Sequence, residues 1–439
     1  MPARLDSRAP GFEEDFLRFL DVKRDVESDV ERVVADIVAR VRAEGDAALV
    51  DYTRRFDKFD ITKDTLAVDK SEIAKARAAC RPDQIEALEH AAGRIRDFHA
   101  KQVPEDLDYR DASGHRLGYR WRPVGAVGMY VPGGTASYPS SVLMNALPAK
   151  VAGVARLVMV VPTPRGEINP LVLAAAGIAG ADEVYRIGGA QAVAALAYGT
   201  ETIRPVDKIC GPGNAYVAAA KRQVFGAVGI DMVAGPSEVL VVADAKSDPA
   251  WIAADLLAQA EHDVNAQSIL ITDDADFAGA VERAIDIHLQ SLPRSDIARQ
   301  SWKDFGAIIH VAELDEAPAL IDRIAPEHLE LALDDPEPLL ARINHAGAIF
   351  LGRYAPEALG DYIAGPNHVL PTARSARYSS GLGVFDFLKR SSIIQASPEA
   401  LRDTGPDAVV LAKAEGLDAH ALSISLRLDA NNTKKTGRT

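Results

Sequence analysis

The sequence has 439 residues, and its 49 basic against 63 acidic side chains leave a formal charge of −14. That balance lacks the basic footprint of phosphate-backbone binding and excludes nucleic acid as the expected partner, while 48% apolar and 26% charged residues are globular proportions spread over two to four expected domains. Two cysteines, Cys80 and Cys210, exclude a disulfide framework or a thiol-rich zinc site and point to a reducing cytoplasm.

In chain order, the opening MPARLDSRAPGFEEDFLRFLD has no apolar signal segment and carries acids where a targeting peptide avoids them. Residues 26–43 and 70–101 read as long amphipathic helices, with apolar positions three and four apart. The most apolar stretch, 142–161, is interrupted by Asn145, Pro148, Lys150 and Arg156 and is no membrane span. From there short β-rich runs alternate with Ala-rich helical ones. Strand candidates are LVMVV at Leu157, EVYRI at Glu183, VDKIC at Val206, EVLVVAD at Glu238, SILIT at Ser268, AIIHV at Ala307 and AIFL at Ala348. Helices are expected at 170–179, 191–198, 215–225, 249–262 and 276–289. Such alternation predicts an α/β fold built on parallel sheets. After Gly381 the pattern fades into a compact tail, and the closing NNTKKTGRT reads as frayed.

Five glycine-rich loops punctuate this pattern: VPGGTASYP from Val131, IGGAQA from Ile187, CGPGNAY from Cys210, VAGPSE from Val233 and IAGPNHVLP from Ile363. None is a G-x-G-x-x-G fingerprint, since Tyr216 and Asp386 stand at the third glycine position of the two nearest matches. Singly they read as strand-to-helix turns; together, beside strand candidates, they suggest a phosphate or nucleotide crevice.

Of ten histidines, His90, His99, His115, His288, His310 and His345 have no companion motif and read as structural. The other four lie in polar clusters that amphipathic packing does not explain. Gln259 and His262 are three apart at a helix end, Glu327 adjoins His328 after Pro326, Asp361 shares a short loop with His368, and Glu415 precedes His420 by five residues. Imidazole, carboxylate and amide oxygen suit a divalent ion such as zinc, yet no local zinc signature is present. The residues alone thus reach an α/β enzyme with a candidate metal site. A zinc hydrolase using Glu327 to activate water, and a small-molecule binding protein, both stay open. A thiol route through Cys210 is disfavoured because that residue ends a strand candidate, where a small thiol packs.

Eight segments in order, YVPGGTASYPSSVLMNALPAKVAGV, GGAQAVAALAYGT, DKICGPGNAYVAAAKRQVFG, DMVAGPSEVLV, LLAQAEHD, APEHLEL, LGDYIAGPNHVLPT and AEGLDAHALSISLR, resemble the histidinol dehydrogenase family. The resemblance implies NAD-dependent oxidation of L-histidinol to L-histidine through a bound aldehyde. It implies zinc ligands at Gln259, His262, Asp361 and His420, a catalytic pair at Glu327 and His328, further substrate contacts at Ser237, His368 and Glu415, and NAD contacts at Tyr130, Gln191 and Asn214. It further implies a homodimer in which His420 reaches the partner's site. The implied layout is an arm over 1–25, a Rossmann-like domain from 26–129 and 237–381, an inserted NAD-binding Rossmann-like domain over 130–236 and a tail over 382–439.

Overall fold

The computed structural model describes residues 2–21, 28–133, 138–233 and 235–436. These sort into two units, 1–102 with 124–387 and 103–123 with 388–439. Residues 26–27 of the first expected amphipathic helix, residues 134–137 and 234 of two glycine-rich loops, and the last three residues lie outside the described ones.

The first unit holds two parallel sheets with helices on their faces. The five-stranded sheet runs Glu183–Tyr185, Arg156–Val160, Ala126–Tyr130, Lys208–Cys210, Gly229–Ile230. The six-stranded sheet runs Ala3–Asp6, Ala307–His310, Gln267–Thr272, Glu238–Ala243, His328–Ala332, Ala348–Leu351. Numbered along the chain, the first sheet has the doubly wound order 3-2-1-4-5, and so does the second once Ala3–Asp6 is set aside as an added edge. Helices of the 28–100 region pack on the five-stranded sheet: Val34, Ile37 and Val41 share a core with Val158 and Val160, and Ala92 and Ile95 share one with Val127 and Met129.

All seven strand candidates form strands. The expected helix over 70–101 is two helices, Lys70–Ala79 and Pro82–Ala100. Pro82 has no N–H and holds Arg81 in an extended conformation (φ −67°, ψ 145°), so the first helix ends before it. Asp69 and Glu72 close a capping box at the start of that first helix. The closing NNTKKT does not leave the fold as a frayed end: it continues the helix Asp418–Thr436. No helix among the described residues is long and apolar enough to cross a membrane.

The second unit is an antiparallel sheet, Leu388–Gln395, Arg116–Pro123, Leu107–Arg110, followed by the helices Pro398–Ala414 and Asp418–Thr436. Its strands are too exposed to announce themselves by hydrophobicity; Arg390 instead lies across the Tyr119 and Trp121 rings, 5.1 and 5.7 Å from their centroids.

Candidate active site

The two sheets use opposite edges. In the five-stranded sheet Tyr130 ends the first strand and Asn214 follows the fourth, so both flank the switch point at the carboxyl edge, where α/β ligands bind. Tyr130 is buried, and its hydroxyl accepts the Gly189 N–H at 3.0 Å, at the start of the helix that carries buried Gln191. Asn214 caps Ala215–Val224 by accepting the N–H groups of Tyr216 and Val217. Gly211 (φ 106°) turns the chain between them, and a Cβ there would overlap the Tyr130 carbonyl oxygen. This bare, glycine-lined cradle fits a dinucleotide pyrophosphate. The loop from Val131 directly follows the strand Ala126–Tyr130, an element that the sequence pattern had not revealed. Burial pushes the Cys210 thiol far up, which disfavours a thiolate nucleophile in the adjoining loop.

In the six-stranded sheet the equivalent carboxyl-edge crevice is filled. Arg353 pairs there with Asp244 (2.9 Å) and Asp334 (2.9 Å) and donates to the Ala332 carbonyl and the Ser247 hydroxyl. The polar cluster lies at the amino edge instead: Ser237 precedes one strand, Glu327 and His328 open another, and Gln259 and His262 lie just before a third.

His328–Ala332 is a strand that the search for continuous apolar runs passes over, because its two faces differ. Leu329 and Leu331 enter the core, while His328 and Glu330 share the other, polar face. Ala325 just before it adopts a left-handed conformation (φ 48°) ahead of Pro326, local strain of the kind stored where a fold must aim particular side chains. His328 Nδ1 donates to the Glu238 carbonyl at 2.9 Å. A carbonyl can only accept, so the proton sits on Nδ1 and Nε2 keeps its lone pair. That Nε2 is buried without a hydrogen-bond partner among the described residues. Burial lowers the imidazole to about 4 despite the opposing field of Asp361, so His328 is neutral near pH 7.

Carboxylates ring this imidazole. Glu327 Oε2 accepts the Glu238 N–H at 2.9 Å and lies 3.8 Å from His328 Nδ1. Glu357, which sequence reasoning missed, is 2% exposed and sits 3.6 Å from the same nitrogen, its Oε2 without a hydrogen-bond partner among the described residues. A signal existed: Glu357 and Asp361 are four apart on the short helix Glu357–Tyr362 and so share a face. His368 Nδ1 donates to the Asp361 carbonyl at 3.0 Å and lies 3.5 Å from its carboxylate, while Ser141 stands 3.3 Å from Nε2. Burial pushes the Asp361 carboxyl up, but the His368 hydrogen bond and the fields of His368, His328 and His262 prevail and hold it below its ordinary value.

One donor atom each from His328, Glu357 and Asp361 lies within 4.8 Å of the others, a geometry that could hold a metal ion. Gln259, 1% exposed, has both side-chain polar atoms buried and without a hydrogen-bond partner among the described residues. His262 donates from Nδ1 to the Ala258 carbonyl at 2.9 Å, which leaves Nε2 to ligate. An imidazole and two carboxylates within reach of one another, with His262 acting electrostatically on His328 and Asp361, fit a divalent ion such as zinc. Ser237 is half-buried at the same sheet edge. Glu415, the C-cap of Pro398–Ala414, and His420, in the first turn of the next helix, belong to the second unit, and both are exposed in the chain.

The polar face continues away from the site. Glu330 accepts the Glu357 N–H at 2.6 Å and hydrogen-bonds Asp255; burial pushes Glu330 well up, and burial of Asp255 raises that carboxyl to about 6 against the Glu330 hydrogen bond. A carboxyl whose folded value exceeds its unfolded one costs nothing at acid pH, and stability is lost as pH rises through the folded value. Glu330→Gln, which keeps the shape and an accepting oxygen, should therefore raise Tm at pH 8, with the gain shrinking towards pH 5. Scanning calorimetry at both pH values checks this; equal gains would acquit the buried charge.

A family model described as histidinol dehydrogenase matches residues 21–428. Histidinol dehydrogenase of Mesorhizobium japonicum is 64% identical over 95% of this chain and 97% of its own, and that of Ruegeria pomeroyi 63% over 98% and 100%. The crystal structure of histidinol dehydrogenase from Elizabethkingia anophelis superimposes with a TM-score of 0.93 at 36% identity, covering 98% of this chain and 99% of that one. With a matching fold, a match along nearly the whole length and the expected polar clusters at one sheet edge, the chain belongs to the histidinol dehydrogenase family.

Proposed function

We propose that this protein oxidises L-histidinol to L-histidine in two NAD-dependent steps through an aldehyde kept in the site, as part of histidine biosynthesis in the cytoplasm. The observation that carries the reading is the neutral, buried His328, with Glu327 and Glu357 beside its Nδ1 and an Nε2 that has no hydrogen-bond partner among the described residues. The amino edge of the six-stranded sheet would do the chemistry, and the carboxyl edge of the five-stranded sheet would hold NAD through Tyr130, Gln191 and Asn214. Gln259, His262, Asp361 and His420 would hold zinc, with His420 supplied across the boundary of a homodimer.

When bound, zinc supplies an anchor for the imidazole and amine nitrogens of the substrate, and NAD supplies the two-electron acceptor. His328 Nε2 takes the hydroxyl proton as the carbinol carbon gives up hydride. For the second step Glu327 takes a proton from the water that adds to the aldehyde, and His328 again removes a hydroxyl proton. Glu415 pairs with the substrate ammonium, while Ser237 and His368 fix its orientation.

The test is incubation with L-histidinol and NAD, following NADH and histidine together. Two NADH per histidine, lost on chelation and regained with zinc, is the expected result. Zinc-loaded protein that makes no NADH overturns the reading.

A further inference from the structure

In doubly wound dinucleotide sites, an acid at the carboxyl end of the second strand binds the adenosine ribose diol. Here that strand, Arg156–Val160, continues as Val161-Pro162-Thr163-Pro164 and brings no acid. A carboxylate arrives from elsewhere. Asp57 is the last residue of the helix Asp46–Asp57, and its Oδ2 accepts the Thr163 N–H at 3.3 Å. Asp57 also acts electrostatically on Tyr130, the residue ending the neighbouring first strand, so it faces the same sheet edge.

Three features set this carboxylate apart from an ordinary surface acid. It stands at a helix C-terminus, where the dipole disfavours negative charge. It is half-buried, and burial pushes its pKa up. Among the described residues it forms no ion pair and this single hydrogen bond, so most of its accepting capacity is unspent.

We infer that Asp57 accepts the hydroxyls of the adenosine ribose of NAD and selects against a dinucleotide bearing a 2′-phosphate. A diol presents two donors to one carboxylate, whereas a phosphate dianion would meet a partly desolvated negative charge. Lys58, next to Asp57, and Arg165, two residues after Thr163, are both exposed and would favour the phosphate once the carboxylate is gone.

The inference rests on the dinucleotide reading of the crevice, so its test includes a variant for that reading. NADH and NADPH are titrated by fluorescence against zinc-loaded wild type, Asp57→Asn and Asn214→Ala, with L-histidinol KM measured in parallel. Asp57→Asn should weaken NADH about tenfold, the scale of a lost charged hydrogen bond, and narrow the NADH-to-NADPH preference by more, with the L-histidinol KM unchanged. Asp57→Ser is read the same way if the Asn form does not fold. If Asn214→Ala weakens NADH but the Asp57 variants keep the wild-type preference, the crevice reading survives and the role of Asp57 is overturned. If neither position affects dinucleotide binding, both fall together.

Discussion

His328→Gln is expected to lower kcat by about 10²–10⁴, the usual contribution of a positioned general base, while the KM for L-histidinol changes little. The imidazole is fixed from behind by the Glu238 carbonyl and keeps a bare Nε2 in front. Gln can donate to the same carbonyl and fill the space, so a fall in rate would report the lost proton acceptor and not a cavity. Because burial lowers His328 to about 4, the acid limb of kcat/KM should lie well below the ordinary imidazole value near 6.5. Steady-state NADH formation from pH 5 to 9 measures both. A variant within a few-fold of wild type would remove His328 from the chemistry.

The second large effect is expected at Glu357. Burial first, then the nearby carboxylates Asp361, Glu330 and Glu327, push this carboxyl well up, so without a cation beside it the group tends to hold a proton. A divalent ion reverses that preference, and binding should release the proton. Glu357→Gln keeps the volume and removes the charge. Zinc affinity should fall about 10–100-fold, as for other carboxylates that orient or tune a metal site, and fewer protons should leave on binding. Competition with a chromogenic chelator gives the affinity, and calorimetry in buffers of different ionisation enthalpy gives the proton count. Unchanged values for both would place Glu357 outside the metal's field.

Both residues illustrate what local pattern conveys. The alternation of β-rich and Ala-rich runs pointed to seven strands that are mostly apolar on both faces, because two-sided burial demands uninterrupted hydrophobicity, but it passed over Ala126–Tyr130. His328–Ala332 escaped it because one face serves the site, so its charged residues break the pattern. The strands of the second unit escaped because they are exposed. Glu327 and His328 stood out as polar residues in an apolar setting, but Glu357 looked like any helix acid until burial was known.

The sequence by itself determined the α/β class, seven of the strands and the polar clusters around Gln259, His262, Glu327, His328, Asp361 and His368, since these depend on residue type and on spacing within a few turns. Motifs in order also placed the chain within one family. Only the tertiary structure decided that the cluster gathers at the amino edge of one sheet while Arg353 fills the opposite crevice, that Glu357 joins His328, and that Asp57 reaches the end of a strand about a hundred residues away. The reason is physical: hydrophobic spacing says which face of an element is buried, but proximity between distant elements is set by strand order and register, and a carboxylate's charge cost depends on the neighbours those bring to it.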